Sequence, residues 1–261
     1  MIIYDQNIWG NLQGPIANRN RIIKELIEEV NPDFCCFQEC NPQTSRKETD
    51  PIQDILNPVY TEACSEHADK NFTPVFYKAD KYTFIASDYI PFEGLNDVGS
   101  KSVTWAVLED KLTKKRIAIA STHFWWMARG EVDNNQRTEN AIVVHGIAKE
   151  VSRKYGCPFI ISGDFNSGDN KQTLSGYNKM IELDMRDIRF IATESDDSKT
   201  CGECPVLENG MYVRGSDAVT TIDYSFVYGN TPLIFNRFIV INSEKAKISS
   251  DHRPLVIDFE F

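Results

Sequence analysis

The chain has 261 residues, enough to bury an extensive core, and its 28 Lys and Arg against 38 Asp and Glu leave a net charge of −10. With 41% hydrophobic and 25% charged residues, its composition is globular and excludes general disorder. The acidic balance argues against a sequence-independent DNA binder with a broad basic surface, and no apolar run approaches the ~18 residues of a membrane-spanning helix. Chemistry on phosphates through a bound metal ion stays compatible with this charge, because the ion brings its own positive charge.

Met1 leads directly into Ile2, Ile3 and Tyr4 without the basic and long apolar segments of a secretory leader. A cytoplasmic location is expected, or a periplasmic or secreted one if a leader has been removed. Short runs rich in Ile, Val, Phe, Tyr and Thr predict strands at residues 1–5, 33–37, 73–77, 82–86, 102–108, 116–121, 158–162, 222–228, 235–241 and 255–261. Ile22, Ile23, Leu26, Ile27 and Val30 recur at spacings of three and four and predict a helix over 19–30, which Asn31-Pro32 stops. A second helix is predicted over 135–155, with Ala141, Val144, His145, Ala148 and Val151 on one side and Gly156 beyond its end. Shorter helices fit near 50–56 and 171–181. No repeat, low-complexity block or linker interrupts the chain, so one domain over 1–261 is expected. Strands adjacent in sequence with few helices predict an α/β fold, two packed sheets with helices outside, rather than strict alternation around a parallel sheet.

Of seven cysteines, Cys35, Cys36 and Cys40 lie in or beside an apolar run and read as buried free thiols of a reducing compartment. Cys201 and Cys204 form a Cys-Gly-Glu-Cys pair in a loop-like stretch. A structural zinc site normally needs two more ligands nearby, and none is evident, so a local disulfide or two idle thiols is the expectation.

The polar residues at the strand ends carry the functional signal. Asn7 follows the first strand, Glu39 the second, His123 the run 117–122, and Asp164 and Asn166 the run 159–162. Asp223 and the pair Asp251-His252 instead open strands. In an antiparallel sheet the end of one strand and the start of its neighbour share an edge, so all these groups can meet on one rim. Singly, an Asn or Asp after a strand is a turn former. Together, carboxylates and imidazoles gathered on one rim need a cation or shared protons. His145 reads as a core histidine and His67 as a loop residue.

The motifs that carry these groups are Gln38-Glu39, Phe76-Tyr77-Lys78, Thr122-His123, Gly163-Asp164-Phe165-Asn166, Ile222-Asp223-Tyr224 and Ser250-Asp251-His252-Arg253-Pro254. In this order, and with Asn7 in Gln6-Asn7-Ile8-Trp9, they resemble the endonuclease/exonuclease/phosphatase (DNase I-like) superfamily over nearly the whole chain. The resemblance implies a four-layer α/β sandwich of two mainly antiparallel sheets flanked by helices. It implies hydrolysis of a phosphodiester by metal-assisted, in-line attack of water. Glu39 would hold Mg²⁺ or Mn²⁺, with Asp251 and Asn7 assisting directly or through water. Asp164 would orient or deprotonate the water, and Asn166 would fix it or a phosphoryl oxygen. His252 would contact the phosphoryl group or act as base, with Asp223 holding its ring. His123 and Tyr77 would donate to non-bridging oxygens. Either Asp164 or His252 takes the proton, and one or two metal ions serve.

Gly-Asp-Phe-Asn-Ser at 163–167 is more similar to the deadenylase and nuclease branches than to the inositol phosphatases. The loop 124–130 directly follows His123, and its Trp125, Trp126 and Arg129 are candidates to stack a base, a sugar or a headgroup, or else to pack the loop down. Arg137 is a candidate phosphate contact. The expected substrate is a nucleotide, single-stranded nucleic acid or small phosphodiester. The alternatives are a sphingomyelinase- or phosphoinositide-type lipid phosphoesterase docking through Trp125-Trp126, and a catalytically silent binding module.

Overall fold

Apolar runs without alternation become strands buried on both faces, and the computed structural model shows why this chain has so many. It describes residues 1–10, 17–42, 51–96, 100–168, 173–229 and 231–261. In chain order the elements are β1 (Ile2–Asn7), α1 (Ala17–Val30), β2 (Phe34–Gln38), α2 (Ile52–Leu56), β3 (Tyr60–Glu62), β4 (Val75–Lys78), β5 (Tyr82–Pro91), β6 (Ser102–Asp110) and β7 (Arg116–His123). They continue with α3 (Glu131–Tyr155), β8 (Phe159–Asp164), α4 (Ser175–Glu182), β9 (Met185–Asp187), β10 (Glu194–Ser195), β11 (Val206–Glu208), β12 (Met211–Arg214), β13 (Asp223–Tyr228), β14 (Ile234–Val240), α5 (Glu244–Ser249) and β15 (Leu255–Glu260).

Among the described residues one sheet has seven strands in the order β10-β14-β15-β1-β2-β4-β3, the other six in the order β5-β6-β7-β8-β13-β9, and β11-β12 form a separate ribbon. Pairing is mainly antiparallel, but each sheet has a parallel pair near its centre, β1 with β2 and β7 with β8. Three apolar layers hold the sandwich. Ile3, Phe34 and Cys36 meet Ile117, Ile119, Ile160 and Val227 between the sheets. Tyr4, Cys35 and Phe37 turn the other way onto Ile23, Leu26 and Ile27 of α1. On the far side, Ala118, Ala120 and Ile161 pack on Ala141, Val144 and Ala148 of α3. Successive residues of one strand thus enter different layers, which is the period of two read on a sheet covered on both faces.

The structure gives the expected α/β class with two large sheets flanked by helices. It starts α3 one turn earlier than its apolar pattern, at Glu131 after Gly130 (φ 134°), and extends β5 to Pro91. The expected helices at 50–56 and 171–181 are found as α2 and α4; residues 50, 171 and 172 lie outside the described residues. His145 is only half-buried, its ring against Tyr228. Among the described residues no helix is long and apolar enough to cross a membrane.

Candidate active site

The two central parallel pairs end on the same rim. In one sheet Asn7 lies opposite Gln38, and in the other His123 lies opposite Asp164, which in turn faces Asp223 at the start of antiparallel β13. The segment before β15 delivers Asp251 and His252 to this edge. It is pinned there because Ser250 Oγ donates to the Asn7 carbonyl (2.7 Å) and accepts from the His252 N–H (3.1 Å). Gly163 lets β7 and β8 close up: its φ is 153°, and a Cβ there would sit 2.1 Å from the Thr122 carbonyl oxygen. Glu39 (φ 53°) and Asn166 (φ 47°) leave their strands in left-handed backbone, which turns both side chains back over the rim.

A chain of contacts crosses from sheet to sheet. His252 Nδ1 lies 2.9 Å from Asp223 Oδ1, and its Nε2 is 3.9 Å from Asp164 Oδ2. Asn7 Nδ2 donates to that Asp164 oxygen (3.0 Å) and to Glu39 Oε1 (3.2 Å). His123 Nε2 reaches Asp164 Oδ2 at 3.2 Å. Asn166 donates its N–H to Asp164 Oδ1 (2.8 Å) and its Nδ2 to the Phe124 carbonyl (3.1 Å). Asp164, Asp223 and His252 are all buried, and their ligand atoms lie within 4.8 Å of one another.

Burial and charge set the protonation states. Burial pushes His123 down, and the neighbouring Lys101 ammonium pushes it further, so the ring is neutral at pH 7 and its contact with Asp164 is a hydrogen bond. Burial pushes Asp164 up, but His123, His252 and Lys101 outweigh it and hold the carboxyl well below its usual range. Burial pulls His252 down, but Asp223 and Asp251 overcome it and raise the imidazole well above its ordinary value. Burial also lifts Asp223, to about 6, against the pull of His252. Asp251 is raised by burial and, through Coulomb repulsion, by Glu39. Glu39 and Asp251, close enough for Coulomb repulsion, offer hard oxygens of the kind a divalent cation of the Mg²⁺ class takes.

Asn7, Glu39, His123, Asp164, Asn166, Asp223, Asp251 and His252 therefore share the rim, and four expectations change. Tyr77 pairs with Phe34 at the start of β2, about 13 Å along the strand from Gln38, and is buried between the sheets. Since β4 runs antiparallel to β2, its C-terminal end points away from the rim, and Tyr77 cannot reach a phosphoryl oxygen there. Asn7 faces Glu39 and Asp164 with its NH₂ and turns its oxygen to the Trp9 N–H (3.0 Å), so it clamps two carboxylates rather than ligating. Trp125 is buried with Nε1 on Asp133 (2.7 Å), and Arg137 is fully buried, donating to the Trp125 and Met127 carbonyls and to Asn134. Both pack the loop down. Trp126 is 53% exposed, and Arg129, also solvent-facing, is tied to Asp133.

The sequence reading missed two features of the rim. Lys101 is 5% exposed, with Nζ 2.8 Å from His123 Nε2. It directly precedes β6, whose Ser102 faces His123, so the strand-start rule that found Asp223 and His252 would have found it too. The second feature is the Cys-Gly-Glu-Cys loop. Cys201 bridges antiparallel to His252, Gly202 N–H donates to the Asp251 carbonyl (2.9 Å), and Thr200 Oγ1 accepts from the Ile222 and Asp223 N–H groups (3.1 and 3.2 Å). Both thiols are free and neither is idle by position: Cys201 Sγ is 3.8 Å from His252 Nε2, and Cys204 Sγ is 3.7 Å from Asp251 Oδ2.

The profile of the Endonuclease/Exonuclease/phosphatase family matches residues 6–252. Comparison with curated protein sequences finds no match. Among solved structures, the chain is similar to a Bacteroides thetaiotaomicron mannosyl-6-phosphatase (17% identity, TM-score 0.73, all of both chains covered). It is similar to the human Nocturnin catalytic domain with bound sulfate (16%, TM-score 0.72, covering 100% of this chain and 94% of that one). Danio rerio TDP2 complexed with single-strand DNA product is comparable (16%, TM-score 0.72, 100% and 99% covered). At these identities the structural likenesses speak for the fold.

Proposed function

The chain belongs to the Endonuclease/Exonuclease/phosphatase family, whose members hydrolyse phosphate esters, and from that premise we propose that it is a Mg²⁺- or Mn²⁺-dependent phosphodiesterase acting on a nucleotide, single-stranded nucleic acid or related small phosphodiester. The observation that supports this reading best is the path His252–Asp164–Asn7–Glu39, which joins a buried imidazole across the two sheets to a half-buried carboxylate. Glu39 and Asp251 would hold the ion, which when bound neutralises phosphoryl oxygens and lowers the pKa of a coordinated water. Asp164, held ionised, orients the attacking water and takes its proton as the new P–O bond forms and the opposite ester P–O bond breaks, the leaving alkoxide taking its proton from solvent. His252, kept protonated by Asp223, donates to a phosphoryl oxygen. Asp223 fixes the ring by taking Nδ1–H, so Nε2 is the atom that faces substrate. His123, Lys101 and Asn166 supply donors aimed at the charge that builds on the transferring group.

The test is a Mg²⁺/Mn²⁺ screen against bis-p-nitrophenyl phosphate, p-nitrophenyl phosphate, single-stranded RNA and DNA, and sphingomyelin, run beside Asp164→Ala. Turnover of a diester that needs the ion and disappears in the variant supports the reading; ion-independent turnover retained by the variant refutes it. Mg²⁺ titration calorimetry of Glu39→Gln is expected to show affinity lowered about tenfold or more, and unchanged affinity rejects the ligand assignment.

A lipid phosphodiester is the second reading. The loop that would have docked it has only one exposed Trp, but β12 turns Met211 (59% exposed) and Val213 (45%) outward while Tyr212 packs on Trp9 beside the rim. Preference for sphingomyelin in vesicles over the soluble diester would select this reading.

A further inference from the structure

We propose that Cys64, Glu66 and His67 form a Zn²⁺ site that shares no residue with the rim and fastens the turn where the edges of the two sheets meet. The three residues lie on one 3₁₀ turn (Ser65–His67) just after β3, closed by the His67 N–H donating to the Cys64 carbonyl (3.1 Å). Such a turn repeats every three residues, so the side chains of Cys64 and His67 stand on the same side, with Glu66 beside them. One ligand atom from each residue lies within 4.8 Å of the other two. A single point therefore sits no more than about 2.8 Å from all three, against Zn²⁺ bonds of ~2.3 Å to sulfur and ~2.0–2.2 Å to nitrogen and oxygen. Cys64 Sγ is already 3.7 Å from Glu66 Oε1, close to the ~3.6 Å that a tetrahedral ion sets between a sulfur and an oxygen. Cys64 is buried, whereas Glu66 is exposed and His67 half-buried, so the ion enters past Glu66 and the two outer side chains close on it.

Thiolate, imidazole and carboxylate together suit Zn²⁺, whereas Mg²⁺ prefers a shell of oxygens. Three protein ligands leave the fourth tetrahedral position to water. Burial, with the charges of Glu66 and Asp88 behind it, pushes the Cys64 thiol up to about 11, against the pull of a Ser87 hydrogen bond. The thiol thus keeps its proton at pH 7 until an ion arrives; on binding, the S–H bond breaks, sulfur gives its electron pair to Zn²⁺ and the proton leaves to solvent. The His67 ring rests against Tyr89 of β5, with centroids 5.7 Å apart.

Among the described residues β3 is the edge strand of the seven-stranded sheet and β5 that of the six-stranded one. Ser87 Oγ of β5 donates to the Ala63 carbonyl (2.9 Å), and Tyr89 Oη donates to the Lys70 carbonyl (3.0 Å). Residues 63–70 therefore span the gap between the two edges, and an ion held by Cys64, Glu66 and His67 locks them in the conformation that makes both bonds.

The test uses the full chain in excess Mg²⁺, so that sites built of oxygens alone do not take up the probe. Co²⁺, a spectroscopic stand-in for Zn²⁺, is titrated in, and the near-ultraviolet thiolate-to-cobalt band is recorded. The samples are the wild type, Cys64→Ser, Glu66→Ala, His67→Gln and Cys201→Ser/Cys204→Ser, with circular dichroism checking each fold. The wild type and the Cys201→Ser/Cys204→Ser variant are expected to give the band at one equivalent, and Cys64→Ser none. Glu66→Ala and His67→Gln are expected to need about tenfold or more additional Co²⁺. In parallel, Zn²⁺ at a hundredfold excess over its Kd is expected to raise the wild-type Tm by about 5 °C and to leave that of Cys64→Ser within about 1 °C. A missing band overturns the site, and so does a band that Cys64→Ser retains. A band lost in Cys201→Ser/Cys204→Ser overturns it too and moves the metal to those thiols. Undiminished affinity in both Glu66→Ala and His67→Gln overturns the ligand set, and these two surface variants decide the matter if Cys64→Ser does not fold. A band without a rise in Tm overturns the fastening role. None of these readouts needs a substrate, so they stand or fall apart from the phosphoesterase reading.

Discussion

Two loops border the rim, and they are held in opposite ways. The loop 124–130 directly follows His123, yet it is fastened to its own neighbourhood: Trp125 and Arg129 to Asp133, and its carbonyls to Arg137. The loop 200–204 is far from every rim motif in sequence, yet its backbone pairs with Asp251, His252 and Arg253, and Thr200 carries the N–H of Asp223. Adjacency to a catalytic residue along the chain is therefore a weaker guide than backbone pairing with one. The first loop depends on the fold, whereas the second is part of the catalytic strand's support.

Asp164→Ala removes the carboxylate that both sheets share and is expected to cost at least about 10³-fold in kcat with the circular dichroism spectrum unchanged. Single-turnover kinetics on the diester found by the screen measure it, and a tenth of the wild-type rate would refute the role. The two loops separate at the next level. Arg137→Met takes the guanidinium from the buried Trp125 carbonyl and from the part-buried Met127 carbonyl and Asn134 Oδ1, and is expected to lower stability by about 2–3 kcal/mol in urea unfolding. Thr200→Val is expected to cost about 1–2 kcal/mol and, in addition, about tenfold in kcat, because Asp223 loses the anchor that aims His252. Equal effects on turnover from the two variants would erase the distinction.

A smaller effect follows from protonation. The fold raises His252 above its unfolded value near ~6.5, so the proton-bound ring adds stability that is complete below that value and is lost as pH rises through the folded one. In EDTA, Tm is expected to fall as pH rises above about 6.5, and His252→Gln is expected to flatten that slope. His123, shifted down, titrates below this window and does not mask it. The smallest effect is that of Trp126→Ala, which is expected to change stability by less than about 0.5 kcal/mol while raising KM a few-fold for substrates with an aromatic base. An unchanged KM removes Trp126 from substrate binding.

The interior of the fold was legible because strands covered on both faces are apolar throughout, as at residues 34–37 and 159–161. The strands that escaped notice, β3, β9, β10, β11 and β12, are two to four residues long, most at sheet edges or in the ribbon, too short for a period to register. At the rim, strand ends pointed to Glu39, Asp164, Asp223 and His252 because side chains there must face solvent or one another. Tyr77 was misplaced because the direction of β4 is a matter of pairing, which composition does not encode. Lys101 precedes β6 much as Asp223 opens β13, and the pairing of β6 with β7 puts it beside His123. Cys201 and Cys204 come beside His252 and Asp251 only through tertiary pairing.

Asn7 stands at the end of β1 with one amide nitrogen touching Glu39 of its own sheet and Asp164 of the other. That makes it a gauge of the spacing between the layers. If the sandwich breathes, the spacing between Glu39 and Asp164 changes with it, so turnover is expected to be sensitive to packing defects far below the rim. Ile119 and Ile160, which fill the space between the sheets, are accordingly positions where a lost methyl group would be felt as lost turnover before it is felt as unfolding.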